Sequence, residues 1–199
     1  MGARVKSLSN SVKRQRRLNR ALRVGRALNL LVKILHSLQT QGIAVHFIVA
    51  GTHAPYAYGA AAGVRIAPDA PATQDVDSLF DTHNRLAILS RLPADDVSLL
   101  RVLRKADKSF KIREDQQQTA ANDKGYEVDI WRMARDDDPH PLRMSHHEDD
   151  LWAGQVPSGD KMLGAAGCAQ VMVATDGSTA RLVTVAPRGS IKLEPGKRS

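Results

Sequence analysis

An α+β fold is predicted by three features of the chain. It opens with apolar residues at helical spacing: Leu18, Ala21, Leu22, then Leu28, Leu31, Leu35 and Leu38, with Ile34 alongside. Short apolar or alternating runs follow, at Ile43 to Ala50, Thr73 to Phe80 and Tyr126 to Trp131, with helical segments between them. Near the end, two alternating runs flank Thr175-Asp176-Gly177-Ser178, the composition of a β-hairpin. Together these give a small mixed sheet with helices against it and the N-terminal helix packed alongside.

Composition bounds the rest. A chain of 199 residues holds one full domain with a sizeable core. Aromatic residues make up only 4%, so the core must rest mainly on Leu, Val, Ile and Ala. The single Cys168 excludes an intrachain disulfide framework and a cysteine-rich zinc site, and fits a reducing compartment. No apolar run approaches the length of a membrane span, and charges interrupt any signal-peptide core, so a cytoplasmic location is expected.

The net charge of +8 sits at the head of the chain. Before Asp69 there are 11 Lys and Arg and no acid; from Asp69 onward 18 basic residues face 21 acidic ones. Such a head suits phosphates or nucleic acid, or is simply a solvated helix face. A transit peptide has similar composition, but this helix runs into the domain instead of stopping at a cleavage site.

In order, residues 1–17 read as a basic, disordered N-terminus. Residues 18–185 form the domain, and residues 186–199 a loose tail. The amphipathic helix from Leu18 is stopped by Gly42. Ile43 to Ala50, rich in β-branched residues, reads as a buried strand, with His46 a core histidine. Gly51-Thr52 follows at once; Thr52 is a natural N-cap, and Pro55 is tolerated in the first turn of a helix to about Ala62. Strand, Gly-Thr turn and helix start present backbone N–H groups and a hydroxyl to an anion. Gly63 to Ala72 is a loop.

Thr73 to Phe80 then reads as a strand that puts Asp75 and Asp77 on one face and Val76 on the other. Adjacent carboxylates repel, and a divalent cation with oxygen ligands relieves them. Alone, the pair is a polar turn with two solvated aspartates. Asp81 or Thr82 caps a helix to Leu92, and Asp95 or Asp96 the next, carrying Leu99, Leu100, Val102 and Leu103. Ser109 to Arg113 alternates as a strand, and Glu114 to Lys124 is polar. In Tyr126 to Trp131, Tyr126, Val128 and Ile130 share one face, and Glu127, Asp129 and Trp131 the other. His140, His146, His147, Glu148, Asp149 and Asp150 look like metal ligands on paper but lack helical ligand spacing, and read as an exposed loop.

A strand ending in Gly-Thr, then Asp75 and Asp77, then a lone Asp129 on a later strand: this order resembles the nucleotidyltransferase superfamily with the DNA polymerase β-like fold. It is similar in particular to a bacterial nucleotidyltransferase-like family sharing G-T-x-A-x-Y-A-Y, A-A-G-V and T-x-D-[VI]-D. Here these stand as Gly51 to Tyr58, Ala61 to Val64 and Thr73 to Asp77, with Ala106 to Phe110 and Gly125 to Asp129 as further family segments. Gly59 stands where relatives often carry an acid. The resemblance implies transfer of a nucleoside monophosphate from a nucleoside triphosphate to an acceptor hydroxyl. It assigns Gly51 and Thr52 to the nucleotide phosphates. Asp75, Asp77 and Asp129 go to Mg2+ or Mn2+, with Asp129 also activating the acceptor. The alternative from another class is a non-catalytic nucleic-acid-binding or regulatory module that keeps the fold and uses the basic head.

Overall fold

The computed structural model describes residues 2–64, 75–80, 98–133, 142–156 and 167–186. Two helices, α1 (Gly2–Ala21) and α2 (Asn29–Thr40), replace the single helix expected from Leu18 to Gly42. The basic head therefore lies within α1, a correction to the disordered N-terminus that composition suggests. The break has a local cause. Apolar spacing lapses between Leu22 and Leu28, and Arg23 takes a left-handed φ of 49°. Gly25 then passes so close to the Ala174 carbonyl oxygen that a Cβ would lie 1.8 Å from it.

In α2, Leu31, Val32, Ile34, Leu35 and Leu38 are buried, and the chain turns away at Gly42 with φ 72°. Each such aliphatic side chain contributes roughly 1.5–3 kcal/mol by leaving water. Of the run from Ile43 to Ala50, only Phe47–Val49 forms a strand, β1; Ala44–His46 is a 3-10 turn. The neighbouring strand is β2 (Asp75–Phe80), whose last residue pairs with Phe47, the first of β1. After a 3-10 turn at Gly51–His53 comes α3 (Ala54–Ala62), closed by Gly63 at φ 66°.

The next described helix, α4 (Leu99–Ala106), is capped at Ser98, whose hydroxyl accepts from the Arg101 N–H. Asp150, 1% exposed, supplies a second cap: its two carboxylate oxygens accept from the N–H groups of Leu99 and Leu100, each at 2.9 Å. The cap thus falls on Ser98 and Asp150. Short strands follow: β3 (Lys111–Ile112), β4 (Thr119–Ala121), β5 (Glu127–Met133), β6 (Leu142–Arg143) and β7 (Trp152–Val156). The hairpin of β8 (Gly167–Val173) and β9 (Thr179–Val185) is as expected.

The described strands make a mixed 7-stranded sheet ordered β1-β2-β5-β4-β3, with β7 on the far half of β5 and β6 on β7. Pairs β2–β5 and β5–β7 are parallel; the others are antiparallel. Along β5, Val128 and Ile130 are buried while Glu127, Asp129 and Trp131 are half-buried. The buried face joins Val76, Phe47 and Val49 to the apolar residues of α2 and α4 in one core. The opposite face of β2 and β5 is left to the carboxylates. The expected helix from Asp81 to Leu92, the caps Asp95 and Asp96, most of the loop before β2, His140 and the tail from residue 187 lie outside the described residues. Among the described residues no helix is long and apolar enough to cross a membrane.

Candidate active site

Strand register brings two of the predicted carboxylates together. In the parallel pair β2–β5, Asp77 lies opposite Asp129 and Asp75 opposite Glu127. Neighbouring strands run about 4.8 Å apart, so Asp77 and Asp129 stand side by side on one face. The end of β1 meets them: the Ala50 N–H donates to the Asp77 carbonyl at 2.8 Å. Gly51, with φ +66°, then crosses over the Asp77 side chain, where a Cβ would come within 2.5 Å of Oδ2. Both its dihedral and its contact require glycine at this position.

Thr52 is exposed on the same turn. It is not the N-cap that the sequence suggests. The 3-10 turn intervenes, so the cap position passes to His53 and Pro55 falls in the first turn of α3.

Each central carboxylate has one oxygen held by a neutral donor. The Trp131 indole N–H donates to Asp77 Oδ1 at 3.1 Å. The Thr119 hydroxyl, on β4 directly opposite Asp129, donates to Asp129 Oδ1 at 2.5 Å. The Trp131 ring has room because Gly154 faces it from β7; a Cβ there would lie 2.8 Å from a ring carbon. Glu127 has a different environment, since Arg113 pairs with it at 2.7 Å and with Asp115 at 3.0 Å.

The electrostatics follow from this layout. Burial raises the Asp129 carboxyl to about 6, with the charges of Asp77, Glu127 and Asp75 adding to it and the Thr119 hydrogen bond opposing. Burial likewise raises Asp77; the Trp131 hydrogen bond opposes this and the Asp75 charge adds to it. Behind the turn, His53 is fully buried and stacks on Tyr56, with ring centroids 6.0 Å apart. Burial lowers its pKa against the pull of Asp75, which favours the neutral imidazole.

The donor set is oxygen only, and no cation among the described residues pairs with Asp77 or Asp129. No three His, Cys, Asp or Glu among the described residues close into a metal cage, the His146–Asp150 loop included. A cage is not what magnesium needs. It binds through one or two carboxylates, retained waters and substrate phosphates, and two adjacent half-buried carboxylates fit that habit.

A family model described as nucleotidyltransferase matches residues 29–189. The chain belongs to the nucleotidyltransferase family. No curated protein and no solved structure matches it. The matched span begins with α2 and runs past β9, so it includes both sheets and leaves α1 outside.

Four residues around the site carry no role in the sequence pattern: Thr119, Trp131, Gly154 and His53. Trp131 had a signal, since alternation puts it on the Asp129 face. Thr119 and Gly154 had none, because their partners are fixed by pairings between β4, β5 and β7.

Proposed function

We propose that this chain is a metal-dependent enzyme that transfers a nucleoside monophosphate from a nucleoside triphosphate to an acceptor hydroxyl. The observation that carries this reading is the Asp77–Asp129 pair on adjacent parallel strands beneath the Gly51 turn. In the reading, Asp77 and Asp129, with Asp75 one step along the strand, hold Mg2+ or Mn2+. Bound there, the ion neutralises charge on the phosphates and on the entering and leaving oxygens. Gly51 and Thr52 offer backbone N–H groups and a hydroxyl to the phosphates ahead of α3.

The acceptor oxygen bonds to the α-phosphorus, the bond from that phosphorus to the β-phosphate bridge breaks, and pyrophosphate leaves. The acceptor's proton passes to Asp129 as general base. Trp131 and Thr119 keep the two carboxylates aimed.

The test is a screen with each of the four α-labelled nucleoside triphosphates, magnesium or manganese, and pools of protein, RNA and small-molecule acceptors. Label should enter a product with wild type and not with Asp77→Asn or Asp129→Asn. Label incorporated equally by Asp77→Asn overturns the reading.

A further inference from the structure

Outside the site, the most one-sided surface is α1. Its 20 residues include seven Lys or Arg and no acid. At 3.6 residues per turn, Lys6, Lys13, Arg17 and Arg20 fall within about 60° of one another and span about 21 Å. All four are exposed, and among the described residues none makes an ion pair.

The side of α1 next to this arc is fixed to the body. Arg16 pairs with Asp176 on the β8–β9 turn, and Asn19 Nδ2 donates to the Gly177 carbonyl at 3.2 Å. Gly177 lies so close that a Cβ would come within 2.2 Å of the Arg16 carbonyl oxygen. The helix is thereby held with its cationic arc facing outward. Beneath it a groove of about 510 Å³, bounded by α2, α4 and the hairpin turn, adds Lys33, His36 and Lys105.

We propose that the outward arc of α1 is a docking surface for double-stranded nucleic acid, read through its phosphate backbone. The inference goes beyond the catalytic reading and does not depend on it. A row of unpaired cations along a straight rod complements regularly spaced phosphates. Single strands are gripped by stacking on aromatic rings, and the chain has no Phe, Tyr or Trp before Phe47.

A bilayer fits worse. The exposed Val5, Leu8 and Val12 share the face of α1 that carries Asn19, which is bonded to the hairpin turn. Laying that stripe on lipid would drive the domain into the membrane.

The test is fluorescence anisotropy on the full chain with labelled RNA and DNA duplexes over a range of salt, beside phosphatidylserine–phosphatidylcholine vesicles. Four phosphate contacts should weaken wild-type binding on the order of a hundredfold between about 50 and 200 mM salt. The variant Lys6→Gln/Lys13→Gln/Arg17→Gln/Arg20→Gln, with unchanged circular dichroism, should flatten the salt slope by about 0.9 per contact removed. Val5→Ser/Leu8→Ser/Val12→Ser and Asp77→Asn should both bind as wild type. Failure of the catalytic reading would therefore leave this result standing. Absence of duplex binding, binding that the four-site variant retains, or binding to vesicles alone overturns the proposal.

Discussion

Trp131 donates its indole N–H to Asp77 Oδ1 across 3.1 Å, from the strand that also carries Asp129. With the Thr119–Asp129 bond, this leaves each central carboxylate anchored at one oxygen, and the other oxygen of Asp77 lies beside Gly51. The ring lies where it does because Gly154 has no side chain.

Trp131→Phe keeps the ring and removes the donor. Groups that hydrogen-bond to a metal-ligating carboxylate and hold its orientation are worth about tenfold to a hundredfold in metal affinity, so manganese affinity should fall by that order with the fold intact. Gly154→Ala should weaken manganese binding in the same direction while Trp131 is still present. Manganese titration by calorimetry reads both; unchanged affinity in Trp131→Phe would show that the indole does not serve Asp77.

Gly51→Ala puts a β-carbon on Asp77 Oδ2 and an alanine at φ +66°. The left-handed backbone alone costs roughly 1–2 kcal/mol. Urea denaturation should show at least that loss, and nucleoside triphosphate binding should fall with it.

Asp129 gives the metal-free protein a pH signature. Its folded pKa of about 6 exceeds the ordinary 3.8, so between these values the folded chain holds a proton that the unfolded chain has released. That contribution to stability is fully present below the lower value and is lost as pH rises through the upper one. The Tm of chelator-treated protein should carry this decline over that interval, and Asp129→Asn should reduce it. Identical profiles for the two proteins would place the carboxyl in a different environment.

Asp150→Ala tests the long-range cap. It leaves the Leu99 and Leu100 N–H groups buried without their acceptor, an expected loss of about 1–3 kcal/mol for each group left unsatisfied. Equilibrium unfolding reads it, and metal binding at the site should be unaffected.

How much was legible in the chain follows from how local each signal is. Alternation fixed the faces of β2 and β5, so Asp75 could be grouped with Asp77, and Asp129 with Trp131, before any pairing was known; that the two groups share a side follows only from the β2–β5 register. Gly51 was legible as a turn after an apolar run, but its contact with Asp77 depends on the β1–β2 register. The Asp150 cap could not be read, because its acceptor lies 51 residues from Leu99 and sits in a stretch whose composition suggests an exposed loop. The α1–α2 break was half legible: apolar spacing lapses after Leu22, yet the reason for the lapse is the hairpin that Gly25 must pass. Strand β4 escaped because Thr119–Ala121 is too short to show a period.

The central claim is that Asp77 and Asp129 form the cation and nucleotide site. Thermal melts of wild type and Asp77→Asn, each alone and with manganese plus a nucleoside triphosphate, test it most directly. Without ligand, Asp77→Asn should be no less stable than wild type, because it removes repulsion between adjacent carboxylates. With free ligand a hundredfold above its dissociation constant, wild type should gain about 2.7 kcal/mol, and Asp77→Asn much less. Equal ligand-dependent shifts in the two proteins would contradict the account and leave these carboxylates as ordinary solvated aspartates.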